Sequence, residues 1–253
     1  MSKKILISGC SFSQSQLHDR YRQWVPYSDL ILEDYPNYTI DNKATSSWGN
    51  SQIINTLVET IEFDYKPDFV ILQLSAFTRF MNHNLKDFWF SVLGTKTYSD
   101  LETKTLAYSE DFLKIKGESH ANHLSNANKG QVRYTENQIS SVYSTLTNET
   151  YLNNFVKIKT VIEYLKNKDI PHIIFFGWQQ VDDNTLWGNR FSKLTNSCNT
   201  FWSPNLLGGL TEWGLKSFKE SEVYVSKTDF HPSSLVHETF YKKIIKPKLN
   251  TIQ

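Results

Sequence analysis

The chain has 253 residues, and its 27 Lys and Arg against 26 Asp and Glu give a formal net charge of +1 at pH 7. This length is enough for one sizeable α/β domain or two small ones, and we predict one. The charges are interspersed and form no basic stripe, which argues against a nucleic-acid partner. Two cysteines do not suggest a disulfide scaffold, and no apolar stretch reaches the roughly 20 residues of a membrane-spanning helix. We therefore expect a cytoplasmic protein with no nucleic-acid or membrane partner.

The elements predicted along the chain alternate between strands and helices. Strands are predicted at 4–8, 38–42, 68–75 and 172–178, and helices at 28–36, 50–63, 151–170 and 235–249. The run at 68–75 is apolar almost throughout, which is typical of a strand buried on both faces of a parallel sheet. This alternation predicts an α/β fold with a mostly parallel sheet and helices on both faces.

Two long stretches interrupt the alternation. Residues from about 80 to 150 are rich in Asn, Ser, Thr, Lys and Tyr, and only 85–93 has a helical pattern. A second irregular stretch covers about 179–222. Long stretches of this kind inside a domain are usually functional, so we interpret both as excursions that wall a site. The predicted organisation is one domain over residues 1–253 with a polar insertion at about 80–150.

The first strand ends in the sequence ILISGCSFSQ (5–14), where an apolar run breaks into a turn at Gly9. A lipoprotein export signal would need roughly 7–15 apolar residues before its cysteine, and this run is much shorter. A phosphate-binding loop would need more glycines and a Lys-Ser or Lys-Thr ending. A nucleophile fits better, because open α/β sheets place their ligands at the carboxyl ends of strands.

Near the other end of the chain, TDFHPSSLVH (228–237) places Asp229 and His231 two residues apart. Ester hydrolysis by serine needs a hydroxyl, a base within hydrogen-bond reach and donors for the developing oxyanion. A third group must also orient the base. Ser11, His231 and Asp229 supply one hydroxyl, one base and one orienting carboxylate.

Three short blocks together resemble the SGNH, or GDSL-type, hydrolases. GCSFS (9–13) is similar to their first block, Gly-Asp-Ser-x-Ser, with Cys10 in place of the Asp. ATSSWGNSQ (44–52) resembles the second block, and DFHPSSLVH (229–237) resembles the last one. The blocks follow the family's order: the first strand, the segment after the second strand, and the start of the last helix. The resemblance implies a flavodoxin-like, three-layer α/β/α sandwich.

Residue by residue, the resemblance implies Ser11 as nucleophile, His231 as general base and Asp229 as its partner. The backbone N–H groups of Ser11 and Gly49 would be two donors of the oxyanion hole. The implied activity is that of a serine esterase working through an acyl-enzyme, without a cofactor or a metal. The seven tryptophans favour an O-acyl substrate, such as an acetyl ester, on a carbohydrate.

The third block departs from the family, which has Gly-x-Asn-Asp where this chain has QLSAFTR (73–79). Ser75 occupies the position of the oxyanion-hole Asn, and we predict that its hydroxyl is the third donor. Asn50 and Gln73 are alternative donors and candidate substrate-binding residues, together with Arg79 and Trp48. The GCSF block with an Arg after the third strand resembles SGNH-like proteins of tailed phages and some bacteria, for which the host cytoplasm or the virion is the expected location.

Several alternatives stay open at the level of sequence. An acyltransferase would use the same triad with an alcohol in place of water, and a binding or virion protein could keep the fold after losing turnover. Cys10 could attack as a thiolate, although we favour a small buried hydrophobe. His172 is interpreted as a structural histidine that opens a buried strand. The remaining histidines of the insertion, His83, His120 and His123, lack recognisable metal-ligand spacing.

Overall fold

The computed structural model of this protein describes residues 2–15, 24–46, 48–75, 77, 79–81, 89–91, 148–179, 185–204, 207–226 and 229–252, with the backbone alone at 79–81, 89–91 and 148–150. The strands of these residues, in chain order, are β1 (Lys4–Ser8), β2 (Thr39–Asn42), β3 (Phe69–Leu74), β4 (Arg79–Met81), β5 (Trp89–Ser91), β6 (His172–Phe176) and β7 (Phe201–Trp202). Five of them form one sheet in the order β2-β1-β3-β6-β7, and every pairing in it is parallel. The other two, β4 and β5, pair antiparallel as a separate hairpin.

The helices of the described residues, in chain order, are α1 (Tyr27–Asp34), α2 (Asn50–Glu59), α3 (Asn148–Asn167), α4 (Leu186–Asn196), α5 (Leu210–Ser217), α6 (Glu220–Val223), α7 (Ser234–Phe240) and α8 (Lys246–Asn250). π-Helical turns extend α2 over Thr60–Asp64 and join α7 to α8 over Tyr241–Ile245. The strands and helices predicted outside the two irregular stretches are therefore confirmed, with boundaries that differ by a few residues. None of the described helices combines the length and apolar character needed to cross a membrane.

Helices cover both faces of the sheet, and two adjacent residues of β6 show how. The ring of Phe175 packs against Tyr27 of α1 and Phe240 of α7, with centroid distances of 5.8 and 4.9 Å. The next residue, Phe176, faces the opposite side and packs against Phe77 at 5.7 Å, and Phe77 packs in turn against Phe191 of α4 at 4.8 Å. Side chains alternate between the faces of a strand, so consecutive large apolar residues require a helical layer on each side. The fold is therefore a three-layer α/β/α sandwich, as predicted.

The central position of β1 follows from the same apolar pattern. Ile5, Leu6 and Ile7 are fully buried, because β1 lies between β2 and β3 and is covered on both faces. The hydroxyl of Ser8, the last residue of the strand, donates a 2.7 Å hydrogen bond to the carbonyl of Ile53 on α2. This contact joins the carboxyl end of β1 to a helix of one layer.

Two predictions about the irregular stretches are wrong. The helix predicted at 85–93 is absent at Trp89–Ser91, which pairs with Arg79–Met81 in the hairpin. The stretch at 179–222 contains α4, β7, α5 and the start of α6, so much of it is regular. The apolar residues of α4 have the spacing of one helix face at Trp187, Phe191 and Leu194. The glycine at position 188 weakens this helical pattern. The rest of the predicted insertion, with His83, His120 and His123, lies outside the described residues.

Candidate active site

A tight turn after β1 carries the predicted nucleophile. The N–H of Ser13 donates to the carbonyl of Cys10 at 3.0 Å, and Ser11 lies between them, only 4% exposed. Cys10 is fully buried and packs in the hydrophobic core, as expected of a small apolar side chain. Gly9 is required by close packing, because a Cβ there would lie 2.8 Å from the Ser13 hydroxyl and 2.9 Å from Gln73 Oε1. The turn therefore depends on a tight contact with β3.

Gln73 of β3 holds this turn in place through side-chain hydrogen bonds. Its side-chain carbonyl accepts hydrogen bonds from the Cys10 N–H at 3.0 Å and the Ser13 hydroxyl at 3.2 Å. Its amide nitrogen donates to the carbonyl of Leu74 at 2.7 Å. The side chain is fully buried. Gln73 therefore supports the turn that carries Ser11, and its substrate-binding or oxyanion role stays a prediction.

A short reverse loop before α7 carries the other two predicted residues. An isolated antiparallel bridge pairs Tyr224 with Pro232, and the N–H of Val225 donates to the carbonyl of His231 at 3.0 Å. Within this loop, Asp229 Oδ1 accepts a 3.1 Å hydrogen bond from the backbone N–H of His231. The same oxygen lies 2.5 Å from His231 Nδ1. The carboxylate therefore holds both the backbone and the ring of His231.

The imidazole of His231 bridges the loop and the turn. Its Nε2 lies 2.9 Å from Ser11 Oγ, although the two residues are 220 positions apart. An ionised carboxylate only accepts hydrogen bonds, so Nδ1 carries the proton in the neutral ring and Nε2 is left to accept one from the Ser11 hydroxyl. The structure therefore brings together Ser11, His231 and Asp229 in one hydrogen-bonded chain.

Two aromatic rings that the sequence did not single out enclose this imidazole. Trp24 stacks on His231 with centroids 4.5 Å apart and an interplanar angle of 23°. Phe12, next to Ser11, meets the same ring at 5.4 Å and 62°. The position of Phe12 beside Ser11 was a usable signal, whereas Trp24 lies between predicted elements with no motif around it.

Besides Ser11, the two residues predicted to form the oxyanion hole lie at the start of α2 and just after β3. Gly49 is the N-cap residue of α2, with φ −91° and ψ 170°, a conformation open to any residue. Ser75 is fully buried, and its N–H donates to Asn50 Oδ1 at 2.7 Å. The amide nitrogen of Asn50 donates to Asn154 Oδ1 at 2.8 Å. The buried amide of Asn50 therefore links the second block to the third.

Trp48 and Arg79, the other two substrate-binding candidates, lie near the start of α2 and the end of β3 in the chain. Trp48 is partly buried and packs against the core just before Gly49. Arg79 begins β4, and its side chain lies outside the described residues.

A second polar cluster lies at the other end of the sheet, where β6 begins. His172 Nδ1 lies 2.7 Å from the carbonyl of Ile170, and its Nε2 lies 2.7 Å from Thr200 Oγ1, which confirms a buried, structural histidine. Thr200 Oγ1 lies 3.0 Å from Cys198 Sγ. Burial raises the pKa of the Cys198 thiol, but hydrogen bonds with His172 and Thr200 outweigh it and lower the pKa to about 7. Among the described residues, no group of three His, Cys, Asp or Glu side chains could hold a metal ion.

Comparison with known proteins finds solved structures that are similar to this chain. No model of a protein family matches the sequence, and no curated protein sequence matches it. The crystal structure of protein YxiM from Bacillus subtilis is 10% identical with a TM-score of 0.50, covering 99% of this chain. This chain spans 57% of the length of that structure.

Two further solved structures are similar over nearly their whole length. A catalytic mutant of Axe2, an acetylxylan esterase from Geobacillus stearothermophilus, is 14% identical, with a TM-score of 0.44 and coverage of 98% of this chain and 95% of that one. A protein from Parabacteroides merdae described as a GDSL-like lipase is 14% identical, with a TM-score of 0.42 and 96% of each chain covered. At such identities a likeness shows the fold alone.

The parallel five-stranded sheet between two helical layers is the three-layer α/β/α architecture that the sequence analysis predicted.

Proposed function

We propose that this chain is a serine ester hydrolase in which Ser11 is the nucleophile, His231 the general base and Asp229 its orienting partner. One observation carries the proposal. The Nε2 atom of His231 lies 2.9 Å from Ser11 Oγ, and its Nδ1 atom lies 2.5 Å from Asp229 Oδ1. A hydroxyl, a base and an orienting carboxylate in this order are the arrangement that serine hydrolases use on several unrelated folds.

The chemistry follows from these three groups. Ser11 Oγ attacks the ester carbonyl carbon while its proton passes to His231 Nε2. The tetrahedral intermediate collapses, the C–O bond to the alcohol breaks, and the alcohol leaves with the proton from His231. Water then attacks the acyl carbon while His231 takes its proton. The bond from the acyl carbon to Ser11 Oγ breaks, His231 returns the proton to Oγ, and the carboxylic acid is released. Asp229 stays ionised and stabilises the imidazolium in both steps.

The oxyanion of each intermediate requires donors near Ser11. The proposed donors are the backbone N–H groups of Ser11 and Gly49 and the hydroxyl of Ser75. The position of Gly49 at the first turn of α2 supports this assignment, because N–H groups at a helix start are left without helical partners. Donors of this kind act mainly on the transition state.

The proposed substrate is a small O-acyl ester, with acetyl on a carbohydrate as the preferred class. The 4% exposure of Ser11 and the packing of Phe12 and Trp24 around His231 support a small acyl group. Phe230, which lies between Asp229 and His231 in the chain, is 53% exposed. An exposed aromatic beside the triad supports a sugar or aryl group on the alcohol side.

Hydrolysis of an aryl acetate by two variants of neighbouring residues tests the proposal. Ser11→Ala should lower the rate by about 10³-fold or more, because the nucleophile is lost. Cys10→Ala, the matched control in the same turn, should retain most of the rate, because the thiol is a packing group.

An inactive Cys10→Ala together with an active Ser11→Ala would overturn the hydroxyl mechanism. A folded wild-type protein without any esterase activity would overturn the hydrolase assignment in favour of a binding protein with this fold.

A further inference from the structure

Trp24 stacks on His231 in a close, buried contact. The two rings are nearly parallel, with centroids 4.5 Å apart, and Trp24 is only 7% exposed. Phe12 packs against the same imidazole at a steep angle from the nucleophile turn. The imidazole is thus held by aromatic contacts from two separate segments, in addition to its two hydrogen bonds.

The backbone beside Trp24 is tied to the rest of the site. The N–H of Val25 donates a 2.9 Å hydrogen bond to Ser234 Oγ, three residues after His231. Two residues further along, the hydroxyl of Tyr27 lies 2.6 Å from Ser13 Oγ in the nucleophile turn. Since the Ser13 hydroxyl already donates to Gln73, the Tyr27 hydroxyl is the donor in this pair. The segment that carries Trp24 is therefore fixed to both the His231 loop and the Ser11 turn.

We propose that Trp24 is a positioning residue for His231 in the ester hydrolysis proposed above, and this inference rests on that function. Its indole face prevents the imidazole from rotating away from Ser11 and Asp229. It also attracts the imidazolium that forms when the Ser11 proton reaches Nε2, since an aromatic face stabilises a cation held against it. This attraction exists only after proton transfer, so it favours the transition state over the bound substrate.

Kinetics of Trp24→Leu and Trp24→Phe on an aryl acetate test this role. Trp24→Leu removes the aromatic face, and kcat should fall about 10-fold or more while KM changes less than about 2-fold. Trp24→Phe restores an aromatic face and should recover most of kcat. The matched control is Trp187→Leu, because Trp187 is similarly buried at 9% exposure and packs against Tyr151 and Phe191.

The control separates positioning from packing. Trp187→Leu should lower the free energy of unfolding and leave kcat at the wild-type value. Wild-type kcat in folded Trp24→Leu would overturn the inference while the hydrolase function stands. An inactive wild-type protein would instead overturn the proposed function.

Discussion

At the scale of single residues, one oxygen of Asp229 accepts two hydrogen bonds from His231. The backbone N–H at 3.1 Å forms a local turn of the kind that Asp side chains favour, and the ring Nδ1 at 2.5 Å completes it. The two-residue spacing in the sequence therefore has a physical reason: the carboxylate that contacts the imidazole also shapes the loop that carries it.

The departure of Ser75 from the family pattern leads to a prediction about the third oxyanion donor. Ser75→Ala should lower kcat on an aryl acetate about 10-fold or more with little change in KM, because the hydroxyl acts on the transition state. Ser28→Ala is the matched control, since Ser28 is also a buried serine but lies on α1. It should leave kcat unchanged.

Wild-type kcat in Ser75→Ala would contradict this role. Asn50 is a poor alternative donor, because its amide is bonded to the Ser75 N–H and to Asn154. Asn50→Ala would strip the acceptor from a buried N–H and should cost about 1–3 kcal/mol of stability. A loss of activity in that variant would therefore come with a measurable loss of stability, unlike the loss in Ser75→Ala.

Sequence reasoning identified the residues whose signal is a short local motif but did not predict the contacts that form only in the folded chain. Ser11, Asp229 and His231 stand in recognisable blocks, and the structure brings them together. Gln73 is 63 positions from Cys10, whose N–H it accepts, and no local pattern indicates that pairing. Trp24 likewise meets His231 only in the folded chain.

At the scale of elements, β1, β3 and β6 were predictable because each is a largely apolar run ended by a turn residue. Helix α4 was not, although Thr185 caps it by accepting a 3.0 Å hydrogen bond from the Gly188 N–H. Its apolar residues have helical spacing, but glycine and asparagine within the helix weaken the pattern. Strand β7 has only two residues, too few for any period to be visible.

The cluster where β6 meets β7 leads to a prediction about stability and pH. The pKa of Cys198 is lowered to about 7 in the folded protein, below the value of about 8.5 for an unperturbed thiol. A lowered pKa contributes stability that is complete above the unfolded value and is lost as the pH falls through the folded value. Relative to Cys198→Ser, wild-type stability should therefore rise by about 2 kcal/mol between about pH 6.5 and pH 9.

Denaturant unfolding of the two proteins across this range measures the difference directly. Thr200→Val removes the hydroxyl between Cys198 and His172 and should reduce the pH-dependent rise. A difference between wild type and Cys198→Ser that stays constant with pH would contradict a lowered thiol pKa.

At the scale of the whole molecule, the order of the strands in the sheet determines where the candidate active site lies. The chain leaves β1 to form β2 on one side and then returns to form β3 on the other, so the connections diverge at the carboxyl end of β1. Open α/β sheets bind their ligands at such a switch point. Ser11 follows β1 at this point, and the loop before α7 brings His231 to it. The topology thus explains why the first and last sequence blocks meet.

Labelling with a fluorophosphonate probe, followed by peptide mapping, tests whether Ser11 is the nucleophile, since the probe bonds covalently to a serine that a neighbouring base activates. We predict one adduct on wild-type protein, located on Ser11. The adduct should be absent in Ser11→Ala and should form far more slowly in His231→Ala. An adduct on another residue, or a folded wild-type protein that the probe does not modify, would contradict the assignment of Ser11 as nucleophile.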